Sequence, residues 1–136
     1  MNTKSLAYFY LRFITGINML LHGGVRLFGD YRGFIDGVAQ EFDGTVLPEA
    51  LVRLVGWSIP PLEFFIGVSL ILGLFTLGGL VLSGLLMATL VFGMSLLKNW
   101  GTVGTQMVYV VIFSILLFAH EHNWYSLDRM VRSENE

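Results

Sequence analysis

The chain has 136 residues, of which 54% are hydrophobic and only 13% are charged, and its formal net charge is −2. Soluble proteins carry about 25% charged residues, so this composition predicts a membrane protein. The small negative charge offers no basic surface for nucleic acid, and the sequence has no cysteine. Disulfides, iron–sulfur clusters and thiolate metal sites are therefore excluded.

Four apolar segments predict membrane spans, because a hydrocarbon core of about 30 Å needs about 20 helical residues. The predicted spans are residues 6–28, 54–75, 77–97 and 103–120, followed by a C-terminal tail at 121–136. Residues 64–97 are uncharged, which is too long for one crossing and too short for two with a turn, so the second span begins before Glu63. We expect an all-α, four-transmembrane-helix up-down bundle that forms a single membrane domain over residues 1–136.

The loop between the first two spans, residues 29–50, contains a pattern typical of a short helix. Phe34, Val38 and Phe42 recur at a spacing of four residues, and the intervening positions are polar or acidic. Such an amphipathic segment is expected to lie on the membrane interface. We expect it to cap the bundle.

One end of the predicted bundle gathers polar and aromatic residues from all four spans. This end, the outer layer, contains His22, Arg26, Trp57, Glu63, Lys98, Trp100, Gln106 and Tyr109. An ionisable group at this depth costs several kcal/mol unless it pairs or lines a cavity, so we expect Glu63 to meet Arg26 or His22. Such a pair can serve helix packing alone. The convergence of donors and aromatic rings favours a ligand site.

The opposite end, the inner layer, brings Arg12 close to the end of the fourth span. A structural ion pair between Arg12 and Glu121 is expected there. His120 and His122 point to different helix faces without an evident third ligand, so no metal is expected. His22 lies in the other layer, across most of the ~30 Å core, so it does not share a haem with His120.

The order of several short motifs resembles the DoxX family of small membrane proteins. The motifs are Arg12 with Gly16, HGGVRL at 22–27, PPLE at 60–63, LILGLFT at 70–76 and NWYSLD at 123–128. The resemblance covers nearly the whole chain and implies a four-helix bundle that is often a small subunit of a redox assembly. It implies matching positions at Arg12, Gly16, Gly23, Arg26, Glu63 and Asp128, with arginine at 26 where lysine is common.

The leading prediction is a quinone-linked subunit of a membrane oxidoreductase. A quinone head group accepts hydrogen bonds at its carbonyls, exchanges protons and stacks on aromatic rings. The predicted catalytic residues are Glu63, His22 and Arg26. The predicted cofactor-binding residues are Trp57, Trp100, Gln106 and Tyr109. Electrons would come from a partner, so the chain is not expected to be a complete enzyme alone.

Two other functions stay open on the sequence. The chain can be a non-catalytic membrane anchor or assembly subunit, or, less readily, a small transporter in which Glu63 exchanges protons for a cation. The expected partners are the lipid bilayer and a protein subunit or a second copy of the chain. The expected location is a bacterial or archaeal plasma membrane, with cytoplasmic termini.

Overall fold

The computed structural model describes residues 2–133, which form helices and no β-strand, so the predicted all-α class is confirmed. The helices are α1 Thr3–Phe28, α2 Tyr31–Glu41, α3 Glu49–Leu72, α4 Thr76–Leu96, α5 Trp100–Phe118 and α6 Leu127–Ser133. A 3-10 turn, His120–His122, precedes α6. The end of the predicted tail, residues 134–136, lies outside the described residues.

Three of the described helices, α3, α4 and α5, are long and apolar enough to cross a membrane. The prediction of four spans is therefore confirmed only for the last three. Helix α1 has 26 residues, which is long enough, but Arg12, Asn18 and His22 lower its mean hydropathy. The helix itself begins and ends close to the predicted bounds.

Helix α1 runs antiparallel to α3, and glycines bring the two backbones into close contact. A Cβ atom at Gly23 would overlap backbone atoms of Pro60 and Phe64, and one at Gly67 would overlap the backbone of Leu20. Only glycine permits this approach, which is a common way for membrane helices to pack. The close contact holds α1 at a fixed register along α3.

Helices α4 and α5 form a second pair, which contacts the first mainly through α3 and α4. A buried core joins the two pairs: Tyr8, Met19, Ile59, Ile66, Leu70, Leu80, Leu86, Met87, Phe113 and Leu116. Helices α1 and α5 touch at few points. Space therefore remains between the pairs at the end where α2 lies.

The amphipathic helix predicted in the first loop is present as α2. Phe42, which follows it, is buried as expected, but the buried residue within the helix is Ile35, at 2% exposed, which the pattern missed. Asp36 on its outer face forms an ion pair of 2.8 Å with Arg53 of α3. The burial of Ile35 and Phe42 places α2 over one end of the bundle.

Candidate functional site

Glu63 of α3 is paired with Arg26, from the last turn of α1. Nη1 of Arg26 lies 2.8 Å from Oε2 and 3.0 Å from Oε1 of the carboxylate. The side chains are 6% exposed for Glu63 and 34% exposed for Arg26. Of the two predicted partners, Arg26 is the one in contact, because Nδ1 of His22 faces the carbonyl oxygen of Asn18 in its own helix, at 3.0 Å.

The ion pair lies at the wall of a cavity of about 720 Å³ between the two helix pairs. The polar residues that line it are His22, Arg26, Glu41, Glu63, Thr89, Asn99, Thr102, Thr105, Gln106 and Tyr109. Apolar side chains line the remainder, among them Met19, Ile59, Met87 and Leu90. Helix α2 closes one end with Phe34, whose ring lies 4.7 Å from the Arg26 guanidinium carbon. The cavity wall is thus largely hydrophobic, with a polar corner around the Arg26–Glu63 pair.

Helix α5 contributes two of the predicted residues to this corner. The Tyr109 hydroxyl donates to Oδ1 of Asn18, at 2.9 Å. Oε1 of Gln106 is buried and has no hydrogen-bond partner within residues 2–133. Such an atom is uncommon, because buried polar atoms nearly always find a partner. Asn18 was not among the predicted site residues, although its position four residues before His22 places it on the same helix face.

The two tryptophans predicted to bind the cofactor lie outside the cavity wall. Trp57 is 46% exposed and Trp100 is 64% exposed. Each precedes a cavity residue of its own helix, Glu63 or Gln106, by six positions, which rotates it about 120° away. The Trp57 ring instead packs edge-on against Tyr31, whose hydroxyl donates to the Trp57 carbonyl oxygen. Lys98, also placed in the outer layer, is exposed in the turn before α5.

The predicted ion pair between Arg12 and Glu121 is wrong. Arg12 is 1% exposed and donates to two backbone carbonyls, Leu70 at 2.7 Å and Tyr125 at 2.6 Å. The Glu121 side chain is 78% exposed and lies 3.5 Å from His122. The reason is local, since α5 ends at Phe118 and Glu121 lies in the 3-10 turn that follows, with its side chain exposed. The carbonyls at the end of α3 lack helical partners and accept the arginine.

In comparison with known proteins, residues 4–106 match the family model described as Methylamine utilisation protein MauE. The chain belongs to the MauE family. No curated protein and no solved structure matches it. The predicted DoxX membership is therefore wrong, because the short glycine, proline and glutamate motifs that suggested it recur widely in small membrane bundles. The MauE match includes Arg26, Glu63 and Gln106, and ends before Tyr109.

Within residues 2–133 of this MauE-family protein, no group of three histidines or acids is placed to hold a metal. The polar corner offers hydrogen bonds instead. Arginine has five N–H donors in a fixed fork, and one Nη of Arg26 serves both Glu63 oxygens. The partly exposed guanidinium therefore has donors left for a ligand. The predicted roles of Glu63, His22 and Arg26 in catalysis stay predictions.

Proposed function

We propose that this chain is an accessory integral membrane protein of methylamine utilisation, whose cavity binds a lipid-soluble ligand with a polar head. The family match supports the pathway. The observation that carries the ligand site is the buried Arg26–Glu63 pair at the polar corner of a cavity of about 720 Å³. Ionisable groups at membrane depth are functional by default, and apolar cavities with few convergent polar groups bind small molecules.

We further propose that α1 is a fourth span. Helix α1 packs alongside α3, which is apolar enough to cross a membrane. The contact extends from Arg12 and Leu70 at one end to Gly23 and Pro60 at the other. Its two deep charges are met by protein groups, Arg12 by carbonyls and Arg26 by Glu63. An even number of spans puts both termini on one side, and we propose that this side is the cytoplasm of a bacterial or archaeal cell.

The absence of native cysteine allows a direct test of this topology. Intact cells that carry Asn2→Cys, Gly44→Cys or Ser133→Cys, one variant at a time, would be treated with a membrane-impermeant maleimide. Four spans with cytoplasmic termini predict labelling of Gly44→Cys alone. Labelling of Asn2→Cys together with Gly44→Cys would contradict the fourth span.

A quinone is the ligand that we propose for the cavity. Its carbonyls would accept hydrogen bonds from Arg26 and from the side-chain amide of Gln106, and its tail would lie along Met87 and Leu90. Phe34 and Phe42 at the cavity wall replace the tryptophans as aromatic neighbours. Electrons would come from a partner subunit, because the chain has no cysteine for a cluster.

The second candidate is a non-catalytic assembly or anchor subunit, and the exposure of α5 favours it. Only 11% of the most apolar stretch of this helix is buried, so one face is open to lipid, a partner subunit or a second copy. A cation transporter fits less well. The carboxylate that it requires is held by Arg26.

Purification in mild detergent from cells grown on methylamine would test these proposals. Mass spectrometry would identify co-purifying quinones and protein subunits. We expect a bound quinone that is lost in Glu63→Gln and Arg26→Gln and retained in Arg53→Gln, a matched control whose ion pairs are on the surface. A stoichiometric partner without quinone in all samples would exclude the quinone and favour the assembly subunit.

Deletion of the gene in its own host tests the pathway separately. Growth with methylamine as the nitrogen source should fail, while growth on ammonium should continue. Equal growth of the deletion strain on both would contradict the proposed role in methylamine utilisation.

A further inference from the structure

A second cavity of about 560 Å³ lies at the opposite end of the bundle, between the start of α4 and the C-terminal segment. We propose that this terminal cavity binds the phosphate of an anionic phospholipid head group. The proposal is independent of the cavity beside Glu63. It rests on charge, on free backbone donors, on unpartnered buried side-chain atoms and on position at the end of membrane helices.

Side chains with N–H donors line the terminal cavity, and two of them, Arg129 and Arg132, are cationic. Arg129, Arg132 and His120 line it, and Arg129 lies over the ring of Trp124, with its guanidinium carbon 3.2 Å from the ring centroid. Two acids are also present, but both are engaged. Asp128 accepts from the backbone N–H groups of Phe75 at 2.7 Å and Thr76 at 2.8 Å, and the exposed Glu121 contacts His122.

The start of α4 adds backbone donors. This helix has 21 residues, and Leu77 and Gly78 in its first turn line the cavity. N–H groups of a first helical turn have no partner within the helix, and Asp128 serves only those of Phe75 and Thr76. A Cβ atom at Gly78 would meet nothing within 4 Å, so the approach to these amides is open. Helix N-termini of this kind attract phosphate.

Two side chains with an unpartnered buried atom give an independent indication of a ligand. Asn123 is 9% exposed and lines the cavity, with its Nδ2 donating to Oγ1 of Thr76 at 3.1 Å and no partner for Oδ1 within residues 2–133. The two ends of an amide are interchangeable in assignment. When it is rotated, Asn123 accepts from the Thr76 hydroxyl and turns its NH₂ group to an anion. Nε2 of His120 is likewise buried without a partner in the described chain.

The position of the cavity favours a lipid over free phosphate. It lies where α4 begins and just beyond the end of α5, both of which are candidate membrane spans. Trp124 and Tyr125 beside it are 51% and 45% exposed, as in the aromatic belts of membrane surfaces. Basic pockets between helices at this level are suited to anionic head groups.

The test uses the full chain in nanodiscs of equal phosphatidylglycerol and phosphatidylcholine, with lipids retained on the protein counted by native mass spectrometry. Each arginine near an anionic surface contributes about fivefold to binding, so the double variant Arg129→Gln/Arg132→Gln should retain roughly 25-fold less phosphatidylglycerol. Arg32→Gln, at an exposed arginine outside this cavity, is the matched control and should retain the lipid as the unmodified chain does.

A second variant, Gly78→Asp, separates binding from folding. A carboxylate in a first helical turn is favourable, so the melting temperature should be kept or raised. The same carboxylate would repel the head group and lower phosphatidylglycerol retention. Equal retention in Gly78→Asp, in the double variant and in Arg32→Gln would overturn the proposal. So would preferred retention of phosphatidylcholine, or displacement of phosphatidylglycerol by millimolar inorganic phosphate, which would make free phosphate the occupant.

Discussion

Two arginines of the same helix meet opposite surroundings at the two ends of the α1–α3 pair. Arg12 is 1% exposed and donates to the carbonyls of Leu70 and Tyr125 at 2.7 and 2.6 Å. Arg26 has a 34% exposed side chain, and it pairs with Glu63 at 2.8 Å beside a large cavity. The first is enclosed by protein, and the second faces space that a ligand can enter.

The difference shows that depth and charge alone do not mark a ligand site. The Arg12 guanidinium joins the end of α3 to the C-terminal segment, and Arg12 lines neither of the two cavities described above. The Arg26 guanidinium keeps donors on the cavity side, with the unpartnered Oε1 of Gln106 on the same wall. We therefore regard the inner arginine as structural and the outer one as part of a site.

The largest loss of stability is expected where α1 packs against α3, because this helix pair connects the Arg12 end of the bundle to the Arg26 end. Gly23→Val places a side chain against the backbone of Pro60 and Phe64, which cannot move without shifting α3. Overpacking of this kind costs about 1–3 kcal/mol or more, and we expect the upper end for Gly23→Val. Thermal unfolding in detergent would measure this loss of stability. The variant should disturb the surroundings of Arg12 and of Arg26 together.

The neighbouring variant Gly24→Ala is the matched control. Its methyl group would meet only ring carbons of Phe64 at 3.6 and 3.8 Å, which is ordinary contact. Alanine also favours the helix over glycine. A loss of stability in Gly24→Ala as large as that in Gly23→Val would show that the close backbone contact is not what joins α1 to α3.

The next effect should be confined to the inner end. Arg12→Met keeps an unbranched side chain of similar reach but leaves the Leu70 and Tyr125 carbonyls without their donor. An unsatisfied buried polar group costs about 1–3 kcal/mol, so we expect a clear fall in melting temperature. Retention of the cavity ligand per folded molecule should not change. Loss of ligand at full stability would contradict the division between a structural and a functional arginine.

The sequence predicted much of this arrangement because periodicity and charge determine it. Apolar length located α3, α4 and α5, and the cost of a bare carboxylate in lipid required a cation for Glu63, which Arg26 provides. The choice between Arg26 and His22 was not available from spacing. His22 and Arg26 lie on the same helix face, so the choice depends on the register of α1 along α3, which the contacts of Gly23 and Gly67 fix.

The failures have a different physical origin. The Arg12 partner was sought among charged side chains, whereas carbonyls at a helix end accept a buried guanidinium equally well. The tryptophans were assigned to the site by depth alone, although helical rotation turns Trp57 away from Glu63. The prediction of DoxX membership was wrong because the motifs on which it rested were short. The tryptophan error came from using position along the membrane normal without the angle around the helix.

Glu63→Gln tests the outer end at moderate cost to stability. Glutamine keeps the size of the side chain and one acceptor for Arg26, but it removes the charge. We expect a destabilisation of about 1–3 kcal/mol and loss of the co-purifying ligand. Arg53→Gln removes surface pairs with Asp36 and Glu49 and is expected to leave both unchanged. Ligand retention in Glu63→Gln would assign the pair to helix packing alone.

The smallest effect on stability is expected from Gln106→Leu, and it gives the sharpest comparison. Oε1 of Gln106 is buried without a partner in the described chain, so replacing it with an apolar group of similar size removes an unmet polar atom. Such a change is close to neutral or stabilising for the empty protein. If the amide NH₂ group of Gln106 donates to a quinone carbonyl, as proposed, the same variant should bind the quinone more weakly. A fall in melting temperature without loss of ligand would show that Gln106 supports the fold and not ligand binding. Unchanged stability with weaker binding would show that Gln106 serves the ligand and not the fold.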